Sequence, residues 1–195
     1  MKKFLLLMAM LTGFAWANAI KVHTAGNLVF LNGVNCVNIK FTYDNLMVEE
    51  TTETNYIKKK VSEYNAHKPG KGDEFAKTWE MNKQQAYPKH FIDMFEKNCN
   101  MSNNNYNEQK YSFIVNTHHM EPGVHAGVGH KIAEISIVIR VVETAYPDKV
   151  LAEISISNCP GWAVMGHEFN AASRLAGAYE KAGKELGKII KETCQ

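Results

Sequence analysis

The sequence has no excess of charge of either sign beyond its first residues. The whole chain carries 22 Lys and Arg residues against 20 Asp and Glu residues. Two of the basic residues, Lys2 and Lys3, precede an apolar segment at the amino terminus, so the remainder is balanced. Proteins that bind nucleic acid need a marked basic excess to neutralise phosphates. The balance therefore argues against nucleic acid as a partner.

The sequence also lacks the short motifs of common enzyme classes. It contains no Gly-x-Ser-x-Gly elbow, which presents the nucleophile of many hydrolases. A glycine-rich segment at residues 121–129 lacks Gly-Lys-Ser/Thr and leads into a strand, whereas phosphate loops lead into a helix whose free amides hold the anion. We therefore expect no enzymatic activity and no cofactor. An enzyme without such motifs would need a deep polar pocket with convergent titratable groups.

Long hydrophobic runs are absent after the amino terminus, so no segment there is expected to cross a membrane. Residues 4–16 form a shorter apolar run, and Ala-Asn-Ala at residues 17–19 is the small-x-small pattern that signal peptidase recognises. This pattern predicts an export signal over residues 1–19 with cleavage after Ala19. We expect the rest, residues 20–195, to be a single globular domain that is periplasmic or secreted and not embedded in a membrane.

Cysteine is sparse and widely spaced. The absence of Cys-x-x-Cys makes a zinc ribbon or a thioredoxin-type redox site a poor interpretation. An exported chain meets an oxidising compartment, where one or two disulfides are compatible with four cysteines and three pairings exist if all four bond. Spacing selects no pairing, and unpaired, partly buried thiols are the alternative. The four residues are Cys36, Cys99, Cys159 and Cys194.

The clearest secondary-structure signal is period-two alternation over residues 133–142, which resumes over residues 150–157. Such alternation is typical of strands with one buried face and one wetter face. The segments predict a hairpin that pairs Thr144 with Lys149, because a slip of one residue would place isoleucines opposite polar partners. Opposed residues then include Ile139 with Ile154, Ile137 with Ile156, and Arg140 with Glu153, the last as a cross-strand ion pair.

Further strands are predicted before this hairpin. A short apolar run at residues 28–31, the tight-turn signal Asn32-Gly33 and alternation over residues 37–43 predict two strands joined by a turn. Residues 111–117 alternate in the same way and predict another strand.

Helical patterns occupy the rest of the chain. Apolar residues at helical spacing predict a helix over residues 53–65, a second helix capped by Asp73 and a third opened by Pro88. The final element is a long helix that begins at Asn170 or Ser173. Glycines along its apolar stripe indicate close packing onto the sheet, since a bare backbone can approach a neighbour. They are Gly177, Gly183 and Gly187.

This order of elements predicts an α/β fold of the α+β type. We expect a two-layer sandwich in which a mainly antiparallel sheet of four or five strands is covered by helices, including the long C-terminal helix. Each isoleucine buried under that helix would contribute roughly 1.5–3 kcal/mol before conformational entropy is subtracted. These core residues are Ile135, Ile137, Ile139, Ile154 and Ile156.

Several segments of the second half share a pattern with known proteins. They are Gly123, Gly127 and Gly129, the strand 133–142, Lys149-Val150-Leu151-Ala152, Ala178-Tyr179 and residues 182–187. Together they resemble a group of uncharacterised secreted bacterial proteins and, more distantly, periplasmic domains related to the TolB amino-terminal domain and the curli secretion-channel protein. The resemblance spans residues 111–190 and rests on structural motifs. It implies a non-catalytic envelope domain that binds other envelope components.

The strongest candidates for chemistry are histidines around the glycine-rich segment. His119, His125 and His130, with Glu121 nearby, supply neutral imidazoles and a carboxylate, which are ligands that zinc and copper accept. Their spacing differs from the helical His-x-x-x-His and His-Glu-x-x-His patterns. Ordinary histidines at strand ends and in a polar loop are the alternative interpretation.

Two loops flank the predicted hairpin at the edge away from its turn, and we expect any binding there first. One loop, residues 123–129, enters the hairpin. The other, residues 159–167, leaves it. These loops and the resemblance favour an exported envelope binding or assembly module whose partner is an envelope protein or a small ligand. The alternative is a metal-binding exported protein that uses the histidines. The candidate interaction residues are Gly123, Gly127, Gly129, Pro160, Gly161, Trp162 and His167.

Overall fold

The computed structural model describes residues 19–104, 109–126, 129–162 and 170–194. All of the predicted export signal except Ala19 lies outside these residues. Within them, no helix is both long enough and apolar enough to cross a membrane.

Two antiparallel strands, β9 (Ala133–Glu143) and β10 (Tyr146–Gly161), form the central hairpin of the sheet. Its predicted register is confirmed along the middle, where Arg140 faces Glu153. The alternation of side chains buries one face of both strands through the middle of the hairpin, whereas Val150 near the turn is exposed. The five predicted core residues there have no exposed surface: Ile135, Ile137, Ile139, Ile154 and Ile156.

The turn of the hairpin is tighter than predicted. Tyr146 pairs with Glu143, so the predicted pairing of Thr144 with Lys149 is wrong. Irregularities in β10 then restore the predicted register by Ala152. Such bulges add residues to one strand only, and alternation alone does not reveal them.

The other end of the hairpin also differs from the prediction. β10 passes through a bulge at Asn158, whose φ of 55° is left-handed, and continues to Gly161. The predicted loop over residues 159–167 is therefore wrong at its start. The bulge lets the strand keep its partner after the alternation of side chains has ended.

The sheet is larger than the predicted four or five strands, and it is mixed. Eight strands of the described chain belong to it, in the main order β1-β10-β9-β6-β2-β5, with β3 and β4 attached through β6. A separate pair is formed by β7 and β8. The bounds are β1 (Lys21–Gly26), β2 (Cys36–Thr42), β3 (Met47–Val48), β4 (Thr51–Thr52), β5 (Ser102–Asn103), β6 (Tyr111–Glu121), β7 (Val124–Ala126) and β8 (Gly129–Lys131).

The sequence patterns predicted neither the parallel pairing in this sheet nor its edge strand β1. β2 pairs in parallel with β6, and the helices between them provide the long crossover that parallel strands need. The predicted turn at Asn32-Gly33 does not join two strands, because Val29–Leu31 is a short 3-10 helix. The edge strand β1 is exposed along its whole length, so it carries no apolar alternation for the sequence to show.

The described chain has four α-helices, of which α4 packs on β9 and β10 and α1 lies against β3 and β4. They are α1 (Glu53–His67), α2 (Lys71–Met81), α3 (Tyr87–Asn98) and α4 (Ala171–Thr193). Asn170 caps α4 as predicted, accepting a hydrogen bond from the amide of Ala172 at 2.9 Å. Pro88 lies in the first turn of α3, also as predicted. The N-cap residue of α2 is Gly70, which has a left-handed φ of 84°, and the predicted cap Asp73 lies within the helix.

Helix α4 packs against both the sheet and α3. A Cβ atom at Gly183 would overlap the carbonyl oxygen of Phe91, and one at Gly187 would lie 2.9 Å from the carbonyl oxygen of Phe95. The two glycines thus face α3, and the predicted packing of these positions onto the sheet is wrong. From the first contact to the second, the residue number rises by four in both helices. Helices α3 and α4 therefore run in the same direction.

A test of this close approach is the substitution Gly183→Ala. Alanine is intrinsically better in a helix by about 1 kcal/mol, but its methyl group would displace the backbone of α3. Overpacking of this kind should lower the free energy of unfolding by about 1–3 kcal/mol in urea denaturation. The exposed Lys184→Ala on the same helix should change it by less than about 0.5 kcal/mol. A Gly183→Ala protein as stable as the parent would contradict the packing.

Candidate functional site

Helices α2 and α3 are joined by a π-helical turn, Asn82–Ala86, so that the chain stays helical from Lys71 to Asn98. π-Helical turns are rare, and they occur frequently at functional sites because they redirect side chains within a helix. Here the turn separates Trp79 from Tyr87 and places Lys83 between them.

Lys83 is a buried cation whose ammonium group has two carboxylate partners. Its Nζ lies 2.7 Å from Oε1 of Glu53 and 3.0 Å from Oε2 of Glu80. The same Oε1 of Glu53 accepts a hydrogen bond of 2.7 Å from the indole Nε1 of Trp79. Glu53 is the first residue of α1, so this network fastens the start of α1 to the π-helical turn.

The electrostatics of this network keep it ionised. Burial by itself lowers the pKa of Lys83, but its hydrogen bonds to Glu53 and Glu80 outweigh burial and leave the pKa above its ordinary value. The hydrogen bond from Lys83 lowers the pKa of Glu80 in return. Nζ also lies 4.9 Å from the centre of the Tyr43 ring, a favourable cation–π distance. Lys83 is therefore a structural cation that holds its proton at neutral pH.

Next to this network lies a cleft of about 700 Å³ between α1, α2, the π-helical turn and the start of α4. Aromatic rings form most of its walls. The rings of Tyr56 and Trp79 are 5.3 Å apart, and those of Tyr64 and Phe75 are 5.2 Å apart and nearly perpendicular. Tyr87 forms part of the lining as well. This volume lies within the range of small-molecule sites, which is about 300–1,000 Å³.

Polar groups complete the lining. Lys71, at the start of α2, holds its Nζ 5.9 Å from the centre of the Tyr64 ring. Thr78 and Asn82 add a hydroxyl and an amide, and residues 170–172 bring the first turn of α4 to the cleft. The amino-terminal end of a helix carries partial positive charge. Among the described lining residues, Lys71 carries the only full charge.

Tyr87 has an unmet hydrogen-bonding capacity at this place. The residue is 1% exposed, and its ring stacks on Tyr179 with the centroids 4.9 Å apart. Its hydroxyl has no hydrogen-bond partner within the described part of the chain. Burial, with the neighbouring Tyr43, raises the pKa of Tyr87. A buried polar group without a partner costs about 1–3 kcal/mol.

The sequence showed these residues without showing the site. Tyr56 and Tyr64 were seen on the apolar stripe of α1, and Phe75 and Trp79 on that of α2. Stripes of this kind usually form core. The available signal is the aromatic character of both stripes, since aromatic rings also line small-molecule sites.

The predicted metal ligands are only partly brought together. His125 and His130 lie directly opposite each other across β7 and β8. Nε2 of His119 lies 3.2 Å from the backbone oxygen of Glu49, on the neighbouring β3–β4 connection. Within the side chains that the structure describes, no three His, Cys, Asp or Glu residues form a group able to hold a metal ion.

Glu121, the carboxylate expected near these histidines, already has partners. Its Oε2 lies 2.5 Å from Nζ of Lys131, and its Oε1 accepts a hydrogen bond of 3.0 Å from the amide of Gly123. Glu121 is 4% exposed, so these contacts satisfy a buried charge. It serves the β7–β8 pair as a structural anchor.

The two candidate interaction loops meet at Arg174 of α4. The guanidinium group donates hydrogen bonds of 2.9 and 3.0 Å to the carbonyl oxygens of Pro122 and Gly123. On the other side, a Cβ atom at Gly161 would overlap the carbonyl oxygen of Arg174. Gly123 adopts a left-handed φ of 70° and is closely surrounded by the backbone of β8 and β9. Both glycines are therefore explained by packing.

The other candidate loop residues have separate locations. Pro160 belongs to β10 and faces Glu134 of β9, while Trp162 is 61% exposed. Gly129 begins β8. Gly127 and His167 lie outside the described residues. Trp162 adjoins the start of α4, since its backbone oxygen would overlap a Cβ atom at Gly177.

Comparison with known proteins finds similarity in structure and none in family or curated sequence. No protein-family model and no curated protein matches the chain. Two crystal forms of the PelC dodecamer from Paraburkholderia phytofirmans are similar in structure. One is a single-substitution variant, with 8% identity and a TM-score of 0.40, and the other has 10% identity and a TM-score of 0.38. Each alignment covers 84% of this chain and 96% of the PelC chain.

The network at the π-helical turn is tested by Lys83→Met, which keeps length and removes charge. Glu53 would lose its ammonium partner, and breaking a buried pair in this way costs about 3–5 kcal/mol. Because Glu53 keeps some access to solvent, we expect a loss at the lower end of this range. The free energy of unfolding should fall by about 3 kcal/mol in chemical denaturation at pH 7. The exposed Lys77→Met of α2 should change stability by less than about 0.5 kcal/mol.

The loss should also depend on pH. The pKa of Glu80 is lowered in the folded parent, so its stabilisation is present above the ordinary carboxyl pKa and is lost as pH falls through the folded value. Lys83→Met removes that shift. The stability difference between the parent and the variant should therefore narrow as pH falls from about 6 to about 3. A difference that is constant over this range would show that the network contributes through packing alone.

Proposed function

We propose that this protein is an exported, non-catalytic binding module of the cell envelope, and that the aromatic cleft beside the π-helical turn is its ligand site. The observation that carries the proposal is the cleft itself, a volume of about 700 Å³ whose lining includes the aromatic residues Trp79 and Tyr87. Export is supported by the signal pattern at residues 1–19.

The chemistry of the lining supports binding over catalysis. Its titratable side chains in the described chain are the tyrosines at 56, 64 and 87 and Lys71. Burial is the main cause that raises the pKa of Tyr56 and of Tyr87, so both phenols stay protonated at neutral pH. Neutral phenols exchange hydrogen bonds with a ligand and are poor general bases.

The lining also indicates the class of ligand. Aromatic walls favour a ring that stacks on them or meets them edge to face. Lys71 and the positive end of α4 favour an acidic group on that ring. Thr78 and Asn82 supply hydrogen bonds for further polar substituents. The ligand is therefore a small, ring-bearing acid, either an acidic sugar or an aromatic carboxylate.

Fluorescence of Trp79 provides the test. In residues 20–195 the substitution Trp162→Phe leaves Trp79 as the remaining tryptophan, so its emission reports on the cleft. Titration with glucuronate and with 4-hydroxybenzoate should give a saturable change for at least one of them, and neutral glucose should bind more weakly. Tyr64→Ala and Phe75→Ala should each weaken binding about tenfold, the equivalent of about 1.4 kcal/mol.

Met81→Ala provides the matched control, since Met81 is exposed on the same helix and is not part of the lining. It should leave the titration unchanged. Binding that is insensitive to Tyr64→Ala and Phe75→Ala would place the ligand elsewhere. The absence of a saturable change with both acids and with a small-molecule extract of cell envelopes would overturn the cleft as a ligand site.

A second candidate function, metal binding, is favoured by the pairing of His125 with His130. Residues directly opposite each other in an antiparallel pair hold their Cβ atoms about 4.5–5.5 Å apart. Imidazole nitrogens are ligands that zinc and copper accept, so the backbone register puts two candidate ligands on neighbouring strands.

Calorimetry with zinc and with copper tests this candidate. Binding should be lost in the double variant His125→Ala/His130→Ala and kept in His67→Ala, where an exposed histidine ends α1. If the double variant binds either metal as tightly as the parent, the histidine pair is not a metal site.

A further inference from the structure

Two of the four cysteines end neighbouring helices. Cys99 is the C-cap residue of α3, and Cys194 is the C-cap residue of α4. The contacts of Gly183 with Phe91 and of Gly187 with Phe95 show that the helices advance in step along the same direction. If this spacing continues, position 191 of α4 lies level with Cys99. Both cysteines are therefore at one end of the helical layer, within about one helical turn of each other.

The surroundings of the two thiols overlap. Sγ of Cys99 lies 3.5 Å from the backbone oxygen of Met101. Met101 and Asn100, which directly follow Cys99, line a small cavity of about 160 Å³ together with Ile190 and Cys194. The cavity leaves room for side-chain rotation at this end of the layer.

Burial and nearby charge make the Cys99 thiol a weaker acid. Burial raises the pKa of Cys99, and the charges of Glu96 and Cys194 raise it further, against a backbone hydrogen bond that lowers it. Both residues are partly exposed, so an oxidant can reach them.

The other two cysteines are held elsewhere. Cys159 has no exposed surface, its Sγ lies 3.4 Å from the carbonyl oxygen of Ala178, and burial raises its pKa to about 12. Such a thiol supplies almost no thiolate for exchange. Sγ of Cys36 lies 3.0 Å from Oγ of Ser102 at the start of β2, where the two residues pair across β2 and β5.

We propose that Cys99 and Cys194 form a disulfide in the exported protein and that Cys36 and Cys159 remain thiols. The bridge would join the ends of α3 and α4 and select one of the pairings that the sequence left open. The proposal rests on the export part of the proposed function and is independent of the cleft.

The bridge forms by thiol–disulfide exchange with an oxidised disulfide, such as oxidised glutathione or an oxidising protein disulfide. The thiolate of one cysteine attacks that disulfide, breaks its S–S bond and forms a mixed disulfide while one thiol leaves. The second cysteine then displaces the other half. In total the chain loses two electrons and two protons, and the oxidant becomes two thiols.

A disulfide needs Cα atoms about 4.4–6.8 Å apart, so the ends of the two helices must approach to that range. Cys194 follows the last helical residue, Thr193, and its amide donates to the carbonyl oxygen of Ile190 at 2.9 Å. Its Sγ lies 3.5 Å from the carbonyl oxygen of Leu28, and Sγ of Cys99 lies 3.3 Å from the carbonyl oxygen of Phe95. The bridge replaces these two weak thiol contacts with a covalent bond.

Peptide mapping tests the bridge. Residues 20–195 are folded, equilibrated with oxidised and reduced glutathione, alkylated and digested with trypsin without reduction. Cleavage after Lys97, Lys110 and Lys191 yields the peptides 98–110 and 192–195. They should appear joined, with the mass of both minus two hydrogens, and should separate on reduction. After denaturation, the oxidised protein should titrate two thiols per chain, and the reduced protein should titrate all four.

Matched variants decide the result. In Cys36→Ser/Cys159→Ser the joined peptides should persist. In Cys194→Ser they should vanish, and Cys99 should be alkylated. Recovery of both peptides in alkylated form from the folded parent, or of peptide 98–110 joined to the Cys36 peptide, overturns the proposal. The fluorescence titration of the cleft is carried out on the same oxidised sample, so failure of the bridge and failure of the ligand site are scored separately.

Discussion

The close approach of α4 to its neighbours, at positions where no side chain intervenes, is the constraint on which the rest of the structure depends. Gly183 and Gly187 bring α4 onto the backbone of α3, and Gly161 brings the end of β10 onto α4. With these three contacts in place, Tyr179 reaches the interior, where its hydroxyl lies 2.7 Å from that of Thr117 on β6. The sheet, α3 and α4 are thereby held as one unit.

The candidate site follows from this unit. Stacking between Tyr179 and Tyr87 fixes the end of the π-helical turn, and the Lys83–Glu53 pair fixes the start of α1 beside it. The first turn of α4 then closes the side of the cleft. The aromatic rings are therefore positioned by elements that are far apart in sequence. The buried ion pair of Lys83 with Glu53 links two of these elements.

Some of this could be read from the sequence and some could not. The alternation over residues 133–142 predicted the pairing of Arg140 with Glu153, because only one register buries the isoleucines. The sequence carries no such signal for the parallel pairing of β2 with β6. The alternation of apolar and polar residues within a strand is the same whether its partner is the next strand or one reached by a long crossover. The exposed strand β1 had no apolar pattern at all. The aromatic residues of the cleft were visible as helical stripes, but a stripe does not show whether its rings meet core or cavity.

The sequence by itself determined the local elements: the hairpin and its central register, and the helices α1 and α4 with Asn170 as one of two candidate caps. These depend on side-chain periodicity and capping, which act over a few residues. Only the tertiary structure decided the eight-stranded mixed sheet, the π-helical turn, the partners of Lys83 and the place of Cys99 beside the end of α4. Those features depend on which backbone segments, distant in sequence, approach one another. The approach is decided by how glycines and aromatic rings fit between elements, and the residue pattern within one element does not contain that information.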